Sequence, residues 1–500
     1  YLRLANQCLE RGGSVLILVP EIALALQLWH EVREHFSRAP CFLYHGHLSA
    51  SDRGSLFSKV RAEQAPVLAV GTRSAVFLPR TDWGLIILDE EHDASFKQEE
   101  RLPYHAKEVA YSRARINGSL LLLGSATPDI RTYHAARTGH FPLLSMEARV
   151  GGRELPEVAT VDLTHDPPRE GPFSQQAIDA LQNCLEREEQ AIILLNRRGY
   201  APLIYCTGCG KVIHCDSCEV GMTYHKSLER VVCHYCGEMK PFPLACPECG
   251  GHQYVPLMEG TEQIEEYLSA YLSAESGVLR LDRDSTRKKG SMENILEGFA
   301  RQRAQVLVGT QMCSKGHNFP GVSLVLVLDG DIGLNLPDYR ATERTFQLLH
   351  QVAGRAGRGE TPGRVMIQTR SPDHYCWQFI RSNDFEGFYN TEIELRRRRR
   401  YPPFVRLGLL RISYPAGQSD GYERIRELAG RIKQGSGSGI QVLGPAPAPL
   451  RQLRGRMRYQ CLIKAPDRAS IRGLCRPLFH SARGASGLRL SLDLDPVQML

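Results

Sequence analysis

At 500 residues the chain is too long for one hydrophobic core, so two to four domains are expected. Its 42% hydrophobic and 23% charged residues exclude a disordered, fibrous or membrane-embedded chain. No apolar run is long enough for a membrane span and no signal peptide opens the sequence, so the cytoplasm is the expected location. The net charge of +7 is uneven: residues 391–500 hold 21 Lys and Arg against 8 Asp and Glu, which leaves the first 390 mildly acidic. A basic C-terminal part on an acidic body points to a polyanion as partner.

Tyr1–Glu10 reads as a helix already under way, with Leu2, Ala5 and Leu9 on one side and no N-cap before it; the chain is expected to be a fragment. Apolar runs follow at Val15–Val19, Val67–Val70, Leu85–Leu88 and Leu120–Leu123, each ending in small or polar residues. Near-continuous apolar strands alternating with helical stretches predict a parallel sheet, whose ligand lies at the carboxyl ends of the strands. The pattern returns at Ala191–Leu195, Gln305–Val308, Leu324–Leu328 and Arg364–Gln368, which predicts a second parallel sheet. A cysteine-rich segment at about 201–257 interrupts it, and Pro156–Pro172 reads as the connection between the two lobes. From about 376, an arginine run, a Gly/Ser loop and the Pro-rich Gly444–Pro449 read as a separate α+β domain.

Asp89-Glu90-Glu91-His92 follows a buried strand. There an acidic residue can hold Mg²⁺ and its neighbour can orient an attacking water, so Asp89 is assigned to the metal and Glu90 to the water. Ser125-Ala126-Thr127 ends the next strand and argues against a merely solvated acidic turn. In Gln351-Val-Ala-Gly-Arg-Ala-Gly-Arg358, Arg355 and Arg358 share a helix face and suit a phosphoryl group gaining charge.

Eight of the fifteen cysteines form four Cys-x-x-Cys pairs between Cys206 and Cys249. Eight thiolates make two structural Zn²⁺ sites of four ligands each. Cys215, Cys218, Cys233 and Cys236 have near zinc-ribbon spacing and are assigned to one ion, which leaves Cys206, Cys209, Cys246 and Cys249 for the other. His214, His225 and His234 are expected to be ordinary surface histidines, and loss of Cys215 to loosen the insertion while leaving the two lobes folded. Phe96, Lys97, Arg101 and Tyr104 interleave aromatic and basic groups, as suits base stacking and phosphate contact, or a plain surface loop with local packing. Arg396–Arg400 and Arg451, Arg454, Arg456 and Arg458 could track a DNA backbone, although a five-residue run cannot point wholly one way on a helix.

Pro20–Leu24, Gly71–Ala75, Asp89–Asp93, Gly124–Pro128, Val308–Met312 with Lys315–His317, and Gln351–Arg358 resemble the ordered motifs of superfamily 2 helicases. With the eight-cysteine block, Asn196–Tyr200, Gly260–Glu262, Leu281–Asp284 and Tyr401–Phe404, they resemble more narrowly the replication-restart helicases of the primosomal protein N′ family. The resemblance implies an α/β fold of two RecA-like lobes: residues 1–160, truncated at the N-terminus, and residues 161–200 with 258–375. A double-zinc insertion at 201–257 and a C-terminal α+β DNA-binding domain at 376–500 complete it.

It further implies Mg²⁺ with ATP between the lobes, held by Asp89, Glu90, His92, Gly316, Gln351, Arg355 and Arg358. Thr72, Arg73, Phe96, Lys97, Tyr104 and Thr310 would contact DNA, at forks and single strands, with 3′-to-5′ movement. Single-strand-binding protein and primosome proteins are implied partners, and the nested zinc pairing is implied as well. The chain departs from the pattern at Ala25-Leu26 and at Asn318, where Thr-Pro and Asp are expected. A phosphate loop ending Gly-Lys-Thr, expected just before Tyr1, is not in the sequence, so this stretch alone is expected to bind ATP poorly. A zinc-stabilised DNA-binding scaffold without ATPase activity, and an RNA helicase, are the rival readings.

Overall fold

The computed structural model describes all residues except 100–101, 147–155, 169–170, 196–203, 219, 226–228, 257–260, 273–275, 283–284, 287–289, 311–312, 314–318, 355, 358–361, 483–486 and 500. It divides into two compact units, Tyr1–Pro142 and Leu143–Leu500.

The first unit is built on a five-stranded parallel sheet in the order Cys41–Tyr44, Leu68–Gly71, Ser14–Leu18, Trp83–Leu88, Leu120–Leu123. Ser14–Leu18 is buried along its whole length, with Leu16 and Leu18 packing on one face and Val15 and Ile17 on the other. Burial on both faces is why such strands read as unbroken apolar runs. The strand Cys41–Tyr44 is not among those predicted: it lies at the sheet edge, and its four half-buried residues begin with Cys and end with Tyr, so it is less plainly apolar than its neighbours.

The second unit holds a six-stranded parallel sheet in the order Val278–Leu281, Val306–Gly309, Gln190–Leu194, Val322–Val327, Arg364–Thr369, Glu157–Asp162. Glu157–Asp162 corrects the expectation for 156–172. That stretch is not all connection, because all six residues pair with Arg364–Thr369 across the predicted lobe boundary at 160. As an edge strand it is mostly half-buried and polar at both ends, so it lacks the apolar run of its neighbours.

The cysteine-rich insertion forms a two-stranded ladder, Ile204–Cys206 with Tyr254–Pro256, and a three-stranded one, Thr223–His225, Arg230–Val232 and Met239–Pro241. The C-terminal sheet is antiparallel, in the order Gln441–Leu453, Arg456–Ala465, Arg406–Pro415, Arg489–Leu494. Leu410, Ile412 and Tyr414 face a core shared with the helices Gly421–Gly435 and Arg468–Ala482. Leu407, Leu409 and Leu462 alternate to the opposite face and share a core with the zinc insertion. The C-terminal part is therefore fused to the insertion through apolar packing rather than held apart.

The arginine run divides along the same lines. Helix Phe385–Arg398 packs Phe388 on Phe346 with ring centroids 4.2 Å apart. This turns Arg396 inward, where its guanidinium meets Glu392 at 2.9 Å and Glu343 at 3.0 Å. Arg396 is thus unavailable to DNA, whereas Arg397 to Arg400 are exposed. Removing the cation from a buried ion network strands its carboxylates and costs about 3–5 kcal/mol. Chemical denaturation of Arg396→Ala should show a loss of that size, against less than about 0.5 kcal/mol for Arg397→Ala. Equal losses would overturn the division.

Candidate functional site

In the first unit, the motifs singled out in the sequence meet at the carboxyl end of the sheet. The Asp89 amide donates to the Leu18 carbonyl at 2.9 Å, the Gly124 amide to Leu88 at 2.8 Å and the Glu91 amide to Gly124 at 3.0 Å. These bonds knit together the loops that follow three adjacent strands. Glu90 stands in the left-handed region at φ 49°, a conformation costing a non-glycine residue about 1–2 kcal/mol.

The three carboxylates differ in use. Glu91 is buried and engaged: Lys107 Nζ lies 2.6 Å from Oε2, the Thr132 hydroxyl donates to Oε2 at 3.1 Å, and the Asp129 amide donates to Oε1 at 2.8 Å. Asp89 and Glu90 are only partly buried. Asp89 Oδ1 accepts a 2.7 Å bond from the Tyr1 hydroxyl, whose pKa is pushed up by burial and then by the Asp89 charge. His92 turns from the same loop to Ser125, with Nδ1 and Oγ 2.7 Å apart, and its ring lies 3.6 Å from Glu90. Ser125 Oγ in turn accepts from the Thr127 amide at 3.0 Å. The Asp-Glu-Glu-His and Ser-Ala-Thr motifs thus form one hydrogen-bonded assembly. A partly exposed carboxylate at a strand end is suited to a hydrated divalent cation.

Arg73 bonds backbone carbonyls, those of Ser95 at 3.1 Å and Lys97 at 2.9 Å, and Ser95 Oγ donates to Pro20 O at 3.0 Å. The segment expected to stack on bases is anchored by these bonds. Phe96 is 0% exposed in the core of the unit and Lys97 is buried. Base stacking by Phe96 is therefore corrected to packing, since its ring is an apolar side chain with no open face, and phosphate contact by Lys97 is corrected likewise, since its side chain is buried. Tyr104 is half-buried and meets Phe77 edge to face at 4.8 Å, and Phe77 is 44% exposed. Phe77, which is not among the predicted contacts, carries an open aromatic surface here. Thr72 is half-buried, and its carbonyl accepts from the Ala75 amide.

In the second unit, Thr310 is half-buried directly after the strand Val306–Gly309, and Gln351 lies in the last turn of helix Ala341–Ala353. Gly316, Arg355 and Arg358 lie outside the described residues, as do Asn196–Tyr200, Lys315–Asn318 and Arg101. Thr261 Oγ1 donates to Asp282 Oδ2 at 2.6 Å, and both residues are buried. The Gly260–Glu262 and Leu281–Asp284 motifs therefore meet in a structural contact.

The eight cysteines gather into two clusters, Cys206, Cys209, Cys246 and Cys249, and Cys215, Cys218, Cys233 and Cys236, with all sulfurs of a cluster within 4.8 Å of one another. Sulfur pairs stand 3.6 Å apart at Cys206–Cys249 and Cys215–Cys236, and 3.7 Å at Cys209–Cys246. A tetrahedron with Zn–S of about 2.3 Å has edges of about 3.8 Å, so both clusters fit the ion. Gly210, Gly237 and Gly250 follow the second cysteine of three pairs at φ of 71°, 83° and 74°. Each donates its amide to the carbonyl of the first cysteine, at 2.8, 2.9 and 2.8 Å, a tight turn that glycine permits.

The clusters differ in setting. Cys249 of the outer cluster is exposed, whereas Cys215, Cys218 and Cys233 of the inner one are buried in the core shared with the C-terminal sheet. Lys464 of that sheet lies 3.7 Å from the centroid of the Tyr401 ring; burial pushes its amine down to about 8, opposed by the Cys218 charge. His234 corrects the expectation of surface histidines: it is 1% exposed, with Nδ1 2.8 Å from Pro447 O.

Four family models match the chain: the DEAD/DEAH box helicase domain over 1–136, the helicase conserved C-terminal domain over 250–360, the PriA DNA helicase Cys-rich region over 215–241 and the primosomal protein N C-terminal domain over 397–497. Replication restart protein PriA of Haemophilus influenzae is 36% identical over 99% of the chain and 67% of its own length. The chain belongs to the PriA family. The Bacillus subtilis PriA is 38% identical over 100% of the chain, which spans 62% of that relative. Among solved structures, the DUF1998 helicase MrfA bound to DNA matches at 15% identity and a TM-score of 0.44, covering 77% of the chain and 46% of MrfA. The PriA Cys-rich region model begins at Cys215 and so contains the whole inner cluster and none of the outer.

Elemental analysis should find two zinc ions per chain. Cys249→Ala should release one and leave thermal unfolding of the C-terminal sheet in place. Cys233→Ala should release the other and lower that transition by roughly 10 °C, because the shared core goes with it. Matching melting curves would refute the asymmetry. Phe96→Ala should cost the first unit about 3–5 kcal/mol as a core cavity, and a fully stable variant would restore the stacking role.

Proposed function

We propose that this chain is the motor portion of an ATP-driven DNA helicase that moves 3′ to 5′ and acts in replication restart. It would bind stalled or branched forks and single strands, unwind DNA and promote reloading of the replicative helicase. The observation that carries the reading is the division among adjacent carboxylates: Glu91 is engaged by Lys107 and Thr132, while Asp89 and Glu90 keep exposed surface at the strand end. Asp89 holds Mg²⁺ on ATP, Glu90 orients the attacking water, and His92 links them to Ser125. Gly316, Gln351, Arg355 and Arg358 are proposed to serve the nucleotide, the two arginines by countering the charge that develops on the γ-phosphate. Thr72, Arg73, Tyr104 and Thr310 form the DNA contact, Arg73 by shaping the backbone of residues 95–97. Membership in the PriA family supports single-strand-binding protein and primosome proteins as partners.

In protein of the relatives' full length, Glu90→Gln should keep ATP binding and lower hydrolysis by two orders of magnitude or more, about 3 kcal/mol of barrier. Arg358→Ala should slow it roughly 10³-fold. Steady-state ATPase with and without single-stranded DNA reads both. Protein of that length that binds DNA and zinc but never hydrolyses ATP would favour the scaffold reading.

A further inference from the structure

The helix Ala341–Ala353 carries Gln351 near its C-terminal end, and its opposite end is held by other parts of the second unit. Glu343, in its first turn, bonds Arg340 at 2.8 Å and takes Arg396 from helix Phe385–Arg398 at 3.0 Å. Asp338, three residues before the helix, takes Arg344 at 3.0 Å and accepts the Met499 amide at 3.3 Å. The third hold comes from the zinc insertion. Tyr235 lies inside the inner knuckle, between the ligands Cys233 and Cys236, and is 1% exposed. Its hydroxyl oxygen accepts a 2.9 Å bond from the Tyr339 amide, two residues before the helix begins.

The knuckle is itself fixed from the other side. Gln460 donates to the His234 carbonyl at 2.9 Å from the C-terminal sheet. A buried ring with a single hydroxyl on a backbone amide is far more specific than apolar packing needs, since phenylalanine would fill the same volume. We infer that Tyr235 is a positioning residue through which the inner zinc knuckle sets the placement of the helix bearing Gln351. A helix of this length is a rod of about 20 Å, so a shift at its anchored end reaches its far end.

The inference about nucleotide turnover rests on the ATPase reading above; the inference about the helix does not. Tyr235→Phe keeps the ring and the zinc ligands and removes only the hydroxyl, which accepts from the Tyr339 amide. In zinc-loaded protein, hydrogen exchange should then quicken at least five-fold across 339–353, with two zinc ions per chain retained and helix Gln175–Glu186 unchanged. In full-length protein kcat for ATP should fall at least five-fold while KM stays within two-fold, because the groups at the far end serve the transition state. Exchange across 339–353 equal to that of the wild type overturns the proposal. So does a fall in zinc content or a rise in exchange throughout the unit, which marks a structural role alone. Altered exchange confined to 339–353 in protein that hydrolyses no ATP upholds the helix placement and sinks the ATPase reading instead.

Discussion

The arrangement rests on one constraint: parallel strands buried on both faces must end at the same edge of the sheet. Ser14–Leu18, Trp83–Leu88 and Leu120–Leu123 run side by side with their carboxyl ends together. Residues far apart in the sequence are thereby delivered to one line of loops, and main-chain bonds such as Asp89 to Leu18 and Glu91 to Gly124 hold that line in register. A carboxylate at the end of such a strand cannot retreat into the sheet, which is apolar. It must be paired, as Glu91 is, or face the solvent and what the solvent brings. The site is in this sense a by-product of sheet geometry, chemically specialised at two positions.

The second unit solves a different problem. The inserted ladders are short, three residues per strand, and cannot bury a core of their own. Metal supplies part of the missing stability, and the C-terminal sheet supplies the rest by offering Leu407, Leu409 and Leu462 to the inner cluster. The antiparallel sheet can do this because its two faces alternate, one toward its own helices and one toward the insertion. The outer cluster lies outside that core, and although Cys206 and Cys246 are buried, its Cys249 faces solvent.

What the sequence made legible follows from these two mechanisms. Central strands, the strand-end motifs and the nested cysteine pairs have local signatures: apolar runs, acidic residues directly after them, and spacings that only a metal rationalises. Glu157–Asp162 has none, being polar at both ends, and the half-buried Cys41–Tyr44 stands out little, whereas Leu120–Leu123, also at a sheet edge, keeps an apolar run. The direction of an individual side chain was equally hidden. Phe96 and Tyr104 look alike in a row of aromatic and basic residues, yet one is in the core and the other half-buried beside Phe77. His234 reads as a surface residue between cysteines until a partner from residue 447 is known. Contacts at such separations leave no trace in local pattern, and only the tertiary fold discloses them.

The basic excess at the C-terminal end illustrates how far charge counting reaches. A run of five arginines implies a polyanion, but the helix that carries it has to bury a face against Phe346, and the arginine on that face must find carboxylates inside the protein. Arg396 thereby leaves the electrostatic surface and joins the framework that holds helix Ala341–Ala353. Arg456 is drawn in the same way into the sheet, bonding the Ser413 carbonyl at 2.8 Å. The remaining exposed arginines still outweigh the acids around them, so the inference of an anionic partner survives the subtraction. Which arginines serve it is fixed by packing: a guanidinium buried on carboxylates, as that of Arg396 is, has no surface to offer phosphate.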